Sequence, residues 1–160
     1  LEGVANMNNI SPFLWFDKEA AEAARFYCTV FKDAKITSTT LLENTPSGTV
    51  EIITMEIFGQ EYQLMSAGPL FKFTEAISFV IYCDNQDEID FYWDRLSADP
   101  YGGECGWLKD KFGLSWQVVP RAMTEMLKSK DKPTLARVTS AIMKMKKIDL
   151  GALQSACDAQ

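Results

Sequence analysis

Cys105 carries the most readily written chemistry in this chain. It stands between Glu104 and Gly106, with Lys109 and Lys111 close behind. Neighbouring ammonium groups favour the thiolate, the nucleophilic form of cysteine. A thiolate there would support metal-independent catalysis of an isomerase or lyase type. The competing reading is a small side chain that fills space beside a glycine. No histidine can serve as its base, because the chain contains none. That absence removes Ser-His-Asp triads, Cys-His dyads and histidine-based metal centres together. The four cysteines, Cys28, Cys83, Cys105 and Cys157, form no CxxC pair and show no metal-ligand spacing. Cys28 and Cys83 fall in apolar patterns and read as small buried hydrophobes. Among the carboxylates, Glu51, Glu56 and Glu61 lie on or beside one hairpin, where Glu51 and Glu61 read as solvent-facing charges. Asp110 is a turn-former. Gln117 can bond either a ligand or a neighbouring strand.

The elements that hold these residues can be read from apolar spacing. The run 13–16 is short and aromatic, and Asp17 with Glu19 suits a helix start. Ala20, Ala24, Tyr27 and Phe31 recur at helical spacing. Residues 36–42 are rich in β-branched types, a Pro-Ser-Gly turn follows, and 50–58 and 60–66 read as two strands joined at Gly59. The first half is therefore β-α-β-β-β. The second half repeats the opening: a strand over 76–83, Asp84 as N-cap with Asp87 as the capping-box acid, and a helix through Ile89, Trp93 and Leu96. Strands at 105–109 and 114–119 follow. Phe26-Tyr27 lies thirteen residues after Phe13, and Phe91-Tyr92 lies twelve after Phe79. The matching order and spacing predict a duplicated βαβββ module in a mixed α+β fold, with two four-stranded sheets enclosing one cleft. Beyond Pro120 the spacing turns helical, with starts near Pro120, Asp131 and Ile148. The expected organisation is a sheet domain over 10–119 (modules 10–66 and 76–119). A helical extension over 120–160 is expected to pack on that domain or on a partner subunit.

Charge and size limit the partners. With 16 basic and 22 acidic residues the net charge is −6, the reverse of a nucleic-acid binder. Residues 121–160 nevertheless carry 8 basic and 4 acidic groups. No aromatics interleave with those lysines, so they read as a solvated face or one that meets the acidic body. No apolar run reaches the roughly 18–20 residues of a membrane span, and no leader pattern is visible. A reduced cytoplasmic protein with no membrane and no nucleic-acid partner is expected.

The run Gly106-Trp107-Leu108-Lys109-Asp110-Lys111-Phe112-Gly113-Leu114-Ser115-Trp116-Gln117 resembles the closing hairpin of the PhnB-like branch of the glyoxalase/bleomycin-resistance/dioxygenase superfamily, the vicinal-oxygen-chelate fold. The strand–helix opening with Phe26-Tyr27, and Gly59-Gln60-Glu61 in the first hairpin, resemble it too. The resemblance implies a cleft lined by inward-facing strand positions, for which Trp15, Met55, Met65, Phe79, Trp107, Trp116 and Gln117 are candidates. It also implies pairing into a homodimer. Active members of the superfamily hold a divalent metal from four strand positions. Those positions fall here at about Pro12, Ile52, Ala76 and Gln117. Three of them cannot ligate through a side chain, so neither a metal nor another cofactor is expected. Some relatives carry the name demethylubiquinone methyltransferase, but the chain shows no glycine-rich strand-to-helix turn of the nucleoside-binding kind. The reading is a metal-free binder of a small molecule, with the Cys105 enzyme as its alternative.

Overall fold

The computed structural model of the protein describes residues 10–99, 101–128 and 131–159. The chain divides into two compact units, Leu1–Lys72 and Phe73–Gln160.

In the first unit, β1 (Phe13–Phe16) leads into α1 (Ala20–Val30), followed by β2 (Lys35–Thr45), β3 (Gly48–Ile57) and β4 (Gln60–Ser66). The sheet order is β1-β4-β3-β2, with β1 parallel to β4 and the other pairs antiparallel. The helix starts two residues later than the Asp17 cap predicts: Glu19 is the N-cap and contributes no side-chain bond. Asp17 is still engaged with the sheet side, where its carbonyl accepts the Gly68 N–H at 2.9 Å. Ser66 Oγ accepts the Ala20 N–H at 3.0 Å in place of a cap. Leu14, Phe16, Ile53, Met55, Ile57 and Leu64 are buried. Strand pleating puts them on the Ser66 side of the sheet, where α1 presents Ala20, Ala23, Ala24 and Tyr27.

In the second unit, β5 (Phe79–Cys83), α2 (Gln86–Leu96), β6 (Trp107–Lys109) and β7 (Ser115–Pro120) repeat the pattern. The order is β5-β7-β6, with β5 parallel to β7 and β6 antiparallel. These are the relationships of β1, β4 and β3, so the duplication holds strand by strand. The second sheet has three strands among the described residues, not four. Its β6 begins at Trp107 because Cys105 and Gly106 have positive φ. Their amides donate to Met145 O (2.8 Å) and Lys146 O (2.7 Å) in the C-terminal region. The cap of α2 is Asn85, one residue past the predicted Asp84. Asn85 Oδ1 accepts the Glu88 N–H at 3.0 Å, and Glu88 Oε2 accepts the Asp84 N–H at 2.7 Å, a capping box shifted by one residue.

Three further helices, α3 (Arg121–Leu127), α4 (Lys132–Ile142) and α5 (Leu150–Asp158), close the chain. Asp131 caps α4 through the Thr134 N–H, and Asp149 caps α5 through the Ala152 N–H, both at 2.9 Å. Val119 of β7 shares one apolar cluster with Met123, Met126, Val138, Ile142, Ile148 and Leu153. Two cations of this basic stretch meet acids of the preceding elements: Lys147 with Asp90 at 2.8 Å and Arg121 with Asp84 at 3.1 Å. No helix among the described residues is long and apolar enough to cross a membrane.

Candidate functional site

The face of each sheet away from its helix carries the side chains left for binding. On the first sheet, Trp15, Met65 and Ile52 stand in one row across β1, β4 and β3. All three are partly buried. Trp15 Nε1 donates to Gly68 O at 2.8 Å, and its ring meets Phe71 edge-on at 5.0 Å. Met55 points the other way and is fully buried in the α1 interface. On the second sheet the equivalent row is Val80, Gln117 and Trp107. Val80 and Trp107 are 41% and 37% exposed. Gln117 Nε2 donates to Ser78 Oγ at 2.9 Å, which fixes the amide and leaves its carbonyl oxygen as an oriented acceptor.

Phe79 and Trp116 lie on the opposite, α2-facing side, with ring centroids 5.6 Å apart. Trp116 is 3% exposed, and its indole N–H donates to Asp110 Oδ2 at 2.9 Å. Asp110, itself 2% exposed, also accepts the Phe112 and Leu114 N–H groups at 2.9 and 3.0 Å. This carboxylate organises the hairpin that carries Gln117 and Ser115. Cys105 is half-buried and packs against the C-terminal apolar cluster. The two ammonium groups that sequence offers it are engaged elsewhere: Lys109 pairs with Glu75, and Lys111 Nζ sits 5.0 Å over the Phe112 ring. Burial first, then the Glu88 and Asp84 carboxylates, push the Cys83 thiol up to about 12.

A cavity of about 580 Å³ lies at the outer edge of β6, the position that β2 fills beside β3 in the first sheet. The loop after α2 touches this edge at both ends. Ala98 N–H donates to Lys109 O at 2.9 Å, and Glu104 N–H donates to Trp107 O at 3.2 Å. Gly103 allows this approach: its φ is +79°, and a Cβ there would lie 2.3 Å from Trp107 O. Trp107, Leu108, Lys109, Ser115, Glu75 and Lys146 line the cavity, with loop residues 97–99 and 102–104. Ser115 is 1% exposed, and its Oγ has no hydrogen-bond partner. A buried hydroxyl left in that state costs about 1–3 kcal/mol. Sequence reasoning identified Trp107 of this lining and missed Ser115, which lies in the same hairpin run but has no side-chain chemistry that singles it out there.

A divalent metal of the superfamily kind would need donors at positions 12, 52, 76 and 117. Pro12, Ile52 and Ala76 have no ligating side-chain atom, and the Gln117 amide is hydrogen-bonded to Ser78. Among the described residues no three His, Cys, Asp or Glu side chains converge as a cation site. The donor set at these positions does not fit a divalent ion.

Comparison with known proteins matches these features. The profile of the family described as 3-demethylubiquinone-9 3-methyltransferase matches residues 8–119. The PhnB protein of Bacillus cereus is 30% identical over 71% of this chain and 99% of its own, with a TM-score of 0.58. A Pseudomonas aeruginosa protein is similar at 17% identity and TM-score 0.55, over 71% of this chain and 97% of its own. The fosfomycin resistance protein FosX of Listeria monocytogenes was solved with Mn(II) and a dihydroxypropylphosphonic acid. It shares the fold at 15% identity and TM-score 0.55, over 80% of this chain and 99% of its own. No curated protein matches the chain.

Proposed function

The chain belongs to the family described as 3-demethylubiquinone-9 3-methyltransferase, in the PhnB-like branch of the glyoxalase/bleomycin-resistance superfamily, and from that premise we propose that it binds a small molecule without the superfamily's divalent-metal centre. The observation that carries this reading is the row Val80–Gln117–Trp107 on the face of the second sheet away from α2. It sets an exposed indole and an exposed valine on either side of an amide held in place by Ser78. An apolar surface with one oriented polar group suits a flat aromatic or amphipathic ligand. Trp15 and Met65 form a row of the same kind on the first sheet.

The family's label does not carry methyl transfer to this chain. Each sheet has one parallel pair, and the described residues hold no doubly wound parallel sheet with a glycine-rich turn for a nucleoside cofactor. The unpaired cysteines agree with a reduced, cytoplasmic setting, and the β2 edge suits pairing into a homodimer. The test is a thermal-shift and tryptophan-fluorescence screen with small aromatic and amphipathic compounds. A hit should stabilise the protein in proportion to its concentration. Gln117→Leu and Trp107→Ala should each weaken it at least about fivefold. Failure of every compound to stabilise the protein, or hits indifferent to both substitutions, would overturn the reading.

A further inference from the structure

The duplicated modules place a glutamine at the same point of each sheet. Register aligns Phe13–Gln63–Thr54, across β1, β4 and β3, with Val80–Gln117–Trp107, across β5, β7 and β6. The flanking residues agree: Tyr62-Gln63-Leu64 and Trp116-Gln117-Val118 each set the glutamine between an aromatic and an aliphatic residue. Leu64, Ile53 and Met55 are buried toward α1, so strand alternation turns Gln63 and Thr54 to the opposite face. Phe13, on that face, is 48% exposed. The two glutamines then part. The Gln117 amide is tied to Ser78, whereas the half-buried Gln63 side chain makes no hydrogen bond among the described residues. Among those residues Ser115 Oγ is the side-chain polar atom that is both sealed from solvent and unpartnered, so the Gln63 amide keeps its contact with solvent. Its N–H and C=O are both left for a ligand, and either rotation of the amide presents the same donor–acceptor pair. On one side, about 7 Å along the strands, the uncharged Met65 and Ile52 make an apolar floor. On the other side stand Glu61 and Glu56, the latter paired with Lys35 at 3.1 Å, which disfavours an anion.

We propose that Gln63 is a second recognition point on this protein, for a neutral carboxamide carried on a small aromatic body. A primary amide presents C=O and N–H side by side, as the glutamine amide does. The two groups meet head to head through two hydrogen bonds while the ring rests on Met65 and Ile52. The site belongs to the first unit and the Val80–Gln117–Trp107 row to the second, so the two readings fail separately. The probe is benzamide, added to isotope-labelled Gln117→Leu protein, in which the amide of the second sheet is silenced. Its matches are N,N-dimethylbenzamide, which lacks the N–H, and benzoate, which carries a charge. Benzamide should shift the Gln63 side-chain amide signals in the NMR spectrum, identified by their loss in Gln63→Leu. Its affinity should fall about tenfold in Gln63→Leu. Gln63→Glu, which keeps the shape and removes the donor, should lose a similar factor. Both variants should keep the backbone spectrum, since this side chain serves no hydrogen bond of the fold. The dimethyl compound and benzoate should leave the Gln63 signals in place. Equal binding of benzamide and its dimethyl match, full affinity in Gln63→Leu, or no movement of the Gln63 signals at the solubility limit of benzamide would each overturn the proposal. Benzamide binding to the unaltered protein that is lost only with Gln117→Leu would overturn it too, and would leave the sheet-face reading standing.

Discussion

At the scale of single residues, the hairpin depends on Asp110. Its carboxylate is buried and accepts from two backbone amides and the Trp116 indole, so three donors satisfy one charge. Asp110→Ala leaves all three donors unpaired in a dry environment and should cost about 3–5 kcal/mol. Asp110→Asn should fall between, because one face of the amide then presents an N–H to a donor. Urea unfolding followed by tryptophan fluorescence measures both. A midpoint for Asp110→Ala equal to that of the unaltered protein would show that the carboxylate does not hold the hairpin. The turn role of Asp110 was legible from its place before Lys111-Phe112-Gly113, but its bond to Trp116 was not. Trp116 falls on the α2 side of β7 while Gln117, its neighbour, falls on the open side. A strand with Ser115 and Trp116 both buried gives no clean alternation from which to read that choice.

Elements show the same division between local and distant causes. The openings of both modules, the hairpin of β3 and β4, and the capped starts of α4 and α5 follow from residues within a few positions of one another. Sequence therefore places them, with errors of one or two residues at the caps. The shortened β6 has a distant cause, because the amides of Cys105 and Gly106 pair with carbonyls of Met145 and Lys146 forty residues on. The missing fourth strand has a local cause: the sequence offers strands only at 76–83, 105–109 and 114–119 in the second half, and the four-stranded expectation rests on analogy with the first module. The link also makes the C-terminal helices part of the second unit's stability. Leu153 is fully buried in the cluster shared with Val119, so Leu153→Ala should destabilise the protein by about 2–5 kcal/mol. Gln154→Ala, one position away and exposed, should change it by less than about 0.5 kcal/mol. Chemical denaturation of the pair checks this. Equal stability of the two variants would mean that α5 is not part of the cooperative core.

For the whole molecule, the open question is what covers β2. This strand has eleven residues, pairs among the described residues with β3 alone, and presents Ile36, Leu41 and Leu42 at 43%, 64% and 42% exposure. An unpaired edge of that length normally carries proline, inward charges or a covering loop, because its free N–H and C=O groups template another strand. Here the ladder with β3 is regular from Ser38 to Leu42, between two irregularities, and holds no charged side chain over that stretch. A second copy of the same edge is the simplest partner, since a two-fold axis pairs the segment with itself. The net charge of −6 works against such pairing at long range, and salt screens that repulsion. Light scattering behind gel filtration should therefore give twice the chain mass of 18.0 kDa, with the dimer favoured as ionic strength rises. Leu41→Lys, at an exposed position that folding does not depend on, should shift the protein to monomer with its circular dichroism unchanged. A single-chain mass at high concentration and high salt would mean that β2 is not a self-pairing edge.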